Sequence, residues 1–177
     1  STAESKTSAA TGPVANVNDD PSGSVTISGT ATEDQVLTAA NTLADEDVLG
    51  TISYTWSNGA TGETTTLGQA DVGNTITVTA SYTDMQGTAE SASSAATGAV
   101  VNVNDSGSVA VSGTVTQGQV LSASVSDEDG ISGVSITYQW NREGSAISGA
   151  TSSTYTLVEA DVGLAITVTA SYTDELS

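Results

Sequence analysis

The sequence has 177 residues, of which 37% are hydrophobic and 4% aromatic, and 21 acidic against two basic residues give a net charge of −19. Such an acidic surface repels phosphate, which argues against nucleic acid and anionic membranes as partners. The sequence has no cysteine and no histidine. This excludes thiol nucleophiles, histidine-containing triads and Cys/His zinc sites, so we do not expect an enzyme.

Short strands are predicted along the first half of the chain. Ile52, Tyr54 and Trp56 alternate with polar residues, and the same alternation recurs in residues 76–82. A period of two with β-branched residues is typical of half-buried strands. Turn-forming residues interrupt these runs, as in a β-sandwich. Further strands are predicted at residues 24–28, 35–40, 64–67 and 88–97.

The second half of the chain repeats the first. Residues 2–19 return as residues 88–105, a shift of 86, and residues 70–84 return as residues 160–174, a shift of 90. Agreement this long predicts two tandem units of one fold. The predicted organisation is a strand and linker at residues 1–19, a first sandwich at 20–101 and a second at 102–177.

The two ends of the sequence predict a strand that is displaced from its sandwich. The segment from Thr2 to Thr11 matches residues 88–97, the predicted last strand of the first sandwich. The second sandwich is predicted to lack that strand, which would expose apolar core and unpaired backbone groups. Three interpretations stay open: the sequence is one repeat of a long chain, its N-terminal strand completes the second sandwich of another copy head to tail, or that strand folds back onto its own chain. The last is least favoured, because the strand runs directly into the first sandwich.

The pattern resembles an immunoglobulin-like sandwich. Trp56 and Trp140 stand where that fold has its buried tryptophan, and LGQADVG (residues 67–73) and LVEADVG (157–163) resemble its L-x-x-x-D-x-G corner. Antibody-type domains also have a cysteine pair and a corner tyrosine, which are not found here. The fold class that we predict is all-β, with two tandem immunoglobulin-like antiparallel β-sandwiches, the second without its last strand, and an N-terminal donor-type strand.

Three segments are similar to the tandem immunoglobulin-like repeats of giant bacterial surface adhesins and RTX-type secreted proteins. Their sequences are NVNDDPSGSVTISG, LADEDVLGTISYTW and ADVGNTITVTASYTD. This resemblance implies an extracellular stalk on a bacterial cell surface, often calcium-dependent, that serves adhesion and biofilm formation. The glycine-rich nonapeptides of RTX proteins are not found, so the resemblance is to the stalk. The expected function is a structural rod, polymeric by tandem continuation or by donor-strand complementation.

Acidic and amide residues recur at fixed places in the repeat and are candidate calcium ligands. They fall in a loop before the tryptophan strand, in the two junctions and after the last strand but one, and Ca²⁺ takes six to eight oxygen ligands. The junction word NVND also resembles the calcium-binding linker of cadherins. The alternative is that they are ordinary turn residues. The candidates are Asp19, Asp20, Asp45, Asp47, Asp84, Asn104, Asp105, Asp127, Asp129 and Asp174.

Three further expectations concern single positions. Val48 stands where the second repeat has Gly130, which weakens the first-repeat loop as a calcium site. Asp71 and Asp161 are expected to brace the corner turns by accepting backbone hydrogen bonds rather than to bind metal. A carbohydrate-binding sandwich is the alternative function, and it would use Tyr155, the one aromatic residue without an aromatic counterpart in the other repeat.

Overall fold

The computed structural model describes residues 1–176, and the fold is all-β, as predicted. Apart from two short 3₁₀ helices, Gln69–Asp71 and Glu159–Asp161, the regular elements are antiparallel strands in three-stranded sheets. No helix in residues 1–176 is long and apolar enough to span a membrane. The immunoglobulin-like detail of the fold remains an expectation.

The first repeat contributes two sheets, ordered β1-β2-β4 and β3-β5-β6. The alternating runs of the sequence form strands where they were predicted, because every second residue is apolar and faces the interior. β1 contacts β5, so the two sheets face each other. The strands are β1 (Val25–Ser28), β2 (Val36–Asn41), β3 (Ser53–Trp56), β4 (Thr64–Thr66), β5 (Val78–Thr83) and β6 (Ala89–Ser93).

The second repeat also contributes two sheets, ordered β7-β8-β11 and β10-β9-β12. Its short strand β10 was not predicted. It arises from a hairpin turn in which Glu143 and Gly144 both have positive φ, 44° and 76°, as a two-residue type I′ turn requires. The strands are β7 (Ser108–Ser112), β8 (Val120–Ser126), β9 (Thr137–Arg142), β10 (Ser145–Ala146), β11 (Thr154–Thr156) and β12 (Ile166–Ser171).

Residue contacts divide the chain into two compact units. The first unit comprises Ser1–Thr30, Val36–Thr66 and Thr75–Gly98, and the second comprises Ala31–Gln35, Leu67–Asn74 and the chain from Ala99 onward. The second unit thus includes two short loop segments of the first repeat. The sequence boundaries 1–19, 20–101 and 102–177 describe the repeat itself and stay a prediction.

Each unit is built around its predicted tryptophan. Trp56 is 2% exposed and its indole N–H donates to the Gly62 carbonyl at 2.9 Å. Trp140 is completely buried, donates to the Ser152 carbonyl at 2.9 Å, and packs with Leu121 and Leu157. Both tryptophans therefore occupy the core, as the alternation in sequence predicted.

Residues 1–20 form no strand, and all of them are exposed. The strand predicted from Thr2 to Thr11 is therefore not formed within a single chain.

Candidate metal centre

A tight loop between β8 and β9 positions the central acidic side chain, Asp129. The Asp129 amide donates to Asp127 Oδ1 at 3.1 Å, a local turn that aspartate favours. The other oxygen, Asp127 Oδ2, accepts from the Tyr172 hydroxyl at 2.6 Å. This hydrogen bond, together with burial, raises the pKa of Tyr172 to about 12. Both carboxylate oxygens of Asp127 thus accept hydrogen bonds within the protein, so Asp127 stabilises the loop.

Three carboxylates converge at this loop: Glu33, Asp105 and Asp129, which we call the acidic cluster. One oxygen from each lies within 4.8 Å of the others, and all three residues belong to the second unit. Glu33 is 2% and Asp129 1% exposed. It is the one group of three or more such ligands found within residues 1–176.

Backbone amides of the junction hold two of these carboxylates in place. The Asp105 amide donates to Asp129 Oδ2 at 2.7 Å, and the Val103 amide donates to Glu33 Oε2 at 3.1 Å. Asp129 Oδ1, by contrast, is buried and has no hydrogen-bond partner. Because native proteins rarely leave a buried polar atom unpaired, this oxygen marks a place for a ligand.

The cluster fits a cation. Three carboxylates this close repel each other when ionised, and burying carboxylates without a counter-charge is costly. A bound cation would relieve both costs, and carboxylate oxygens suit hard metal ions. The residues present therefore can hold a metal ion.

The first repeat contains the matching loop but not a matching cluster. The Asp47 amide donates to Asp45 Oδ1 at 2.8 Å, the Tyr82 hydroxyl donates to Asp45 Oδ2 at 2.6 Å, and the Asp19 amide donates to Asp47 Oδ2 at 2.9 Å. Burial, and then the bond to Asp45, raises the pKa of Tyr82. Asp19 and Asp47 thus reproduce the geometry of Asp105 and Asp129, but they belong to no three-ligand group within residues 1–176.

The Val48–Gly130 difference between the two repeats falls at a position where both residues have positive φ. Val48 has φ of 72°, in the left-handed region, where the second repeat has Gly130 with φ of 88°. A β-branched residue is strained in this conformation, whereas glycine is not. The first-repeat loop therefore keeps the same backbone path at a cost in stability.

The remaining predicted ligands belong to no three-ligand group within residues 1–176. Asp84 Oδ1 accepts from the Gln86 and Thr88 amides, both at 2.8 Å, and Asp174 Oδ1 accepts from the Leu176 amide at 3.2 Å. These are turn contacts of the kind that the alternative interpretation expected, although Asp84 Oδ2 is, like Asp129 Oδ1, buried without a hydrogen-bond partner. Asp20 is exposed and Asn104 donates to the Asp105 carbonyl at 3.1 Å. Of the ten candidates, Asp105 and Asp129 lie in the acidic cluster.

Glu33 was missed by the sequence reasoning. The candidates were acids that recur in both repeats, and the residue matching Glu33 in the second repeat is Gln117. The one sequence feature that could have indicated Glu33 is the polar segment TEDQ, which directly precedes the apolar alternation of β2. This polar segment predicts a loop, but it does not predict which other loop lies next to it in the fold.

Asp161 and Asp71 brace the two corner turns, as expected. Asp161 Oδ2 accepts from the Val158 amide at 2.7 Å, and Asp71 Oδ2 accepts from the Gly68 amide at 3.1 Å. Asp161 also accepts from Arg142 Nε at 2.6 Å and from the Tyr155 hydroxyl at 2.9 Å. Its side chain is thus tied to β9, to β11 and to its own turn.

This network predicts that acid weakens the second unit through Asp161. Burial acts to raise the Asp161 pKa, but hydrogen bonds from Val158, Arg142 and Tyr155 outweigh it, and the pKa lies below its ordinary value. A carboxyl with a lower pKa in the folded state stabilises above its unfolded pKa, and that stabilisation is lost as pH falls through the folded pKa.

We expect Asp161→Asn to lower the free energy of unfolding at neutral pH and to flatten its decline below about pH 4, near the unfolded aspartate pKa. Urea titrations between neutral and acidic pH measure both effects. Glu159→Gln, in the same turn but exposed, is the control and should keep the parent profile. An Asp161→Asn profile parallel to that of the parent would contradict the assignment.

Comparison with protein-family models finds no match for this sequence, and comparisons with characterised proteins and with solved structures find none either. The function proposed below therefore rests on the repeated sequence and on the geometry of the acidic cluster.

Proposed function

We propose that this chain is a structural repeat of a bacterial surface adhesin or filament, an extracellular rod segment that serves adhesion and biofilm formation. The observation that carries the proposal is the near-complete repetition of the sequence as two all-β halves, with strands and a buried tryptophan at matching positions. Repeats of this kind form quasi-one-dimensional arrays. The resemblance to adhesin repeats points to the same role.

The strand order suits a mechanical role. β3 pairs with β5 and β9 with β12, so residues 22–34 positions apart in sequence are joined by backbone hydrogen bonds in register. Extending the chain fully must break all of these bonds. Antiparallel ladders of this kind therefore resist extension better than loops do.

We propose calcium as the ion of the acidic cluster. The sequence has no cysteine or histidine, which leaves oxygen ligands, and Ca²⁺ prefers carboxylates in flexible geometry at 2.3–2.6 Å. Glu33, Asp105 and Asp129 would supply three of the six to eight oxygens that Ca²⁺ takes. An ion bound there would hold the loop at Glu33, the junction at Asp105 and the β8–β9 loop together.

The sugar-binding alternative gains no support from Tyr155. Its ring stacks on Trp140 with centroids 5.7 Å apart, and its hydroxyl donates to Asp161. Sugar-binding sandwiches use aromatic rings that lie open on the surface. Tyr155 is instead half-buried and belongs to the core of the second unit.

The mechanical proposal predicts a defined unfolding pattern for covalently linked copies under force. Each repeat of about 85 residues corresponds to roughly 280–305 Å of extended chain, because an extended residue spans at most about 3.3–3.6 Å. Single-molecule force spectroscopy should show the step of the second unit, which carries the acidic cluster, at higher force in calcium than in chelator. Unfolding without a resolved force peak in both conditions would refute the proposal.

A further inference from the structure

The acidic cluster supplies three carboxylates, whereas Ca²⁺ takes six to eight oxygens, so an ion bound there needs further oxygen ligands. Besides Asp129 Oδ1, three side-chain oxygens in residues 1–176 are buried without a hydrogen-bond partner: Gln69 Oε1, Asp84 Oδ2 and Asn102 Oδ1. Asp84 belongs to the first unit, whereas Gln69 and Asn102 belong to the second, as the acidic cluster does. Of these two, Asn102 lies in the junction that also carries Asp105.

Asn102 lies between two residues that are both bonded to Glu33. The Glu33 amide donates to the Val101 carbonyl at 2.9 Å, and the Val103 amide donates to Glu33 Oε2 at 3.1 Å. The backbone of Glu33 is thus joined to the residue before Asn102, and its carboxylate is joined to the residue after Asn102. The junction at Asn102 therefore runs directly beside one carboxylate of the acidic cluster.

The Asn102 side chain extends toward the loop that carries Asp129. Its Nδ2 donates to the Leu176 carbonyl at 3.2 Å. The residue before Leu176, Glu175, donates its amide to the Gly130 carbonyl at 3.1 Å, and Gly130 directly follows Asp129. The Asn102 amide thus lies between the part of the site that carries Glu33 and the part that carries Asp129.

The hydrogen bond to Leu176 also orients the amide group of Asn102. A carbonyl oxygen accepts only from the NH₂ end, so Nδ2 faces Leu176 and Oδ1 faces away from it. Asn102 Oδ1 and Asp129 Oδ1 are then two buried acceptors without partners in the same unit. Two acceptors cannot satisfy each other, whereas one cation satisfies both, and native proteins rarely leave such atoms unpaired.

We infer that Asn102 is a fourth protein ligand of the ion in the acidic cluster, with Oδ1 binding the ion beside Glu33, Asp105 and Asp129. This inference rests on the calcium proposal and adds a residue of the junction to it. Three ionised carboxylates already exceed the charge of a divalent cation by one, so a fourth carboxylate would add repulsion. A neutral amide oxygen adds a ligand without that repulsion, and amide oxygens are ordinary ligands of Ca²⁺.

The ligand is thus the first asparagine of the junction segment NVND and not the second, Asn104, which was the candidate from the sequence. Asn104 is exposed, and its Nδ2 donates to the Asp105 carbonyl at 3.1 Å. The two asparagines are close in sequence and alike in chemistry, so Asn104 provides a matched control for every change at Asn102.

Two substitutions separate the oxygen of Asn102 from its NH₂ group. Asn102→Leu removes both, whereas Asn102→Asp keeps an oxygen ligand and removes the donor to Leu176. We expect Asn102→Leu to weaken calcium binding about tenfold, which corresponds to about 1.4 kcal/mol, and Asn102→Asp to bind calcium more tightly than Asn102→Leu does. Isothermal titration of the full chain with calcium chloride measures the affinities. Asn104→Leu and Asn104→Asp should both stay close to the parent affinity.

Equal losses in Asn102→Leu and Asn102→Asp would overturn the inference, because both variants lack the donor to Leu176 and the role of Asn102 would then be structural. A parent affinity in Asn102→Leu would overturn it as well, since a water molecule would then satisfy Oδ1. The same Leu–Asp difference at Asn104 would contradict it too, because it would reflect charge alone.

Glu33→Gln distinguishes this inference from the calcium proposal on which it rests. Calcium binding that is lost in Glu33→Gln but kept in Asn102→Leu contradicts the role of Asn102 alone, whereas a parent that does not bind calcium contradicts both. Circular dichroism in chelator checks that each variant is folded. Asn102→Ala, which also lacks the oxygen, takes the place of Asn102→Leu if the leucine variant is unfolded.

Discussion

Calcium is expected to raise the melting temperature of this chain, and chelator is expected to lower it. An ion that binds only the folded state stabilises it by about 2.7 kcal/mol at a hundredfold excess over the dissociation constant. For the second unit, which carries the acidic cluster and contains about half of the residues, that is a shift on the order of 10–20 °C. Differential scanning calorimetry in calcium and in chelator measures it. The physical basis is the unpaired Asp129 Oδ1 among three close carboxylates.

Two substitutions separate a metal site from a purely structural carboxylate cluster. Glu33→Gln and Asp129→Asn keep the side-chain shape but remove a negative charge, so each should lose most of the calcium-induced shift. In chelator, Glu33→Gln should be at least as stable as the parent, because it relieves repulsion between like charges. Glu128→Gln, exposed in the same loop, is the matched control. A parent melting temperature that is the same in calcium and in chelator would exclude the site.

Trp56→Ala is expected to lower the free energy of unfolding of the first unit by about 3–5 kcal/mol. Trp56 is 2% exposed and lies opposite Val78, which is completely buried, so its removal leaves a cavity in the core. Because domains are stable by only about 5–15 kcal/mol, this is a large share of the total. Chemical denaturation followed by circular dichroism measures the loss.

The two tryptophans allow an internal comparison. Trp56→Ala leaves Trp140 as the one tryptophan, so its fluorescence reports the second unit alone. Thr55→Ala, at an exposed position of the same strand, should change stability by no more than about 0.5 kcal/mol. If Trp56→Ala and Thr55→Ala unfold at the same denaturant concentration, the assignment of Trp56 as the centre of the core is wrong.

Most of the secondary structure could be predicted from the sequence. Alternation around Tyr54 and Trp56 placed β3, and the same pattern in residues 76–82 placed β5 to within two residues. These are local properties, because a strand with one buried face must alternate whatever it packs against. The hairpin at Glu143 was missed, because positive φ at glutamate is a local exception that the pattern does not signal.

The candidate site was only partly predictable, because ligands are selected by direction and not by residue type. Asp127 and Asp129 are two residues apart in one loop, yet Asp127 is engaged by Tyr172 while Asp129 keeps a free buried oxygen. Recurrence in both repeats identified both residues equally. Their spacing does not show that Asp127 stabilises the loop while Asp129 is a candidate ligand, since both are turn aspartates.

The sequence by itself determined the repeat, the strand positions and the buried tryptophans, because periodicity and apolar alternation are written into neighbouring residues. Only the tertiary structure decided that Glu33 joins Asp105 and Asp129, which lie more than 70 residues further along the chain. It also decided that β12 keeps a half-buried face where the same residues of β5 are closed off by β6. Both outcomes depend on which distant segments of the chain pack together. The repulsion among the three carboxylates and the burial of a strand face arise only from that packing.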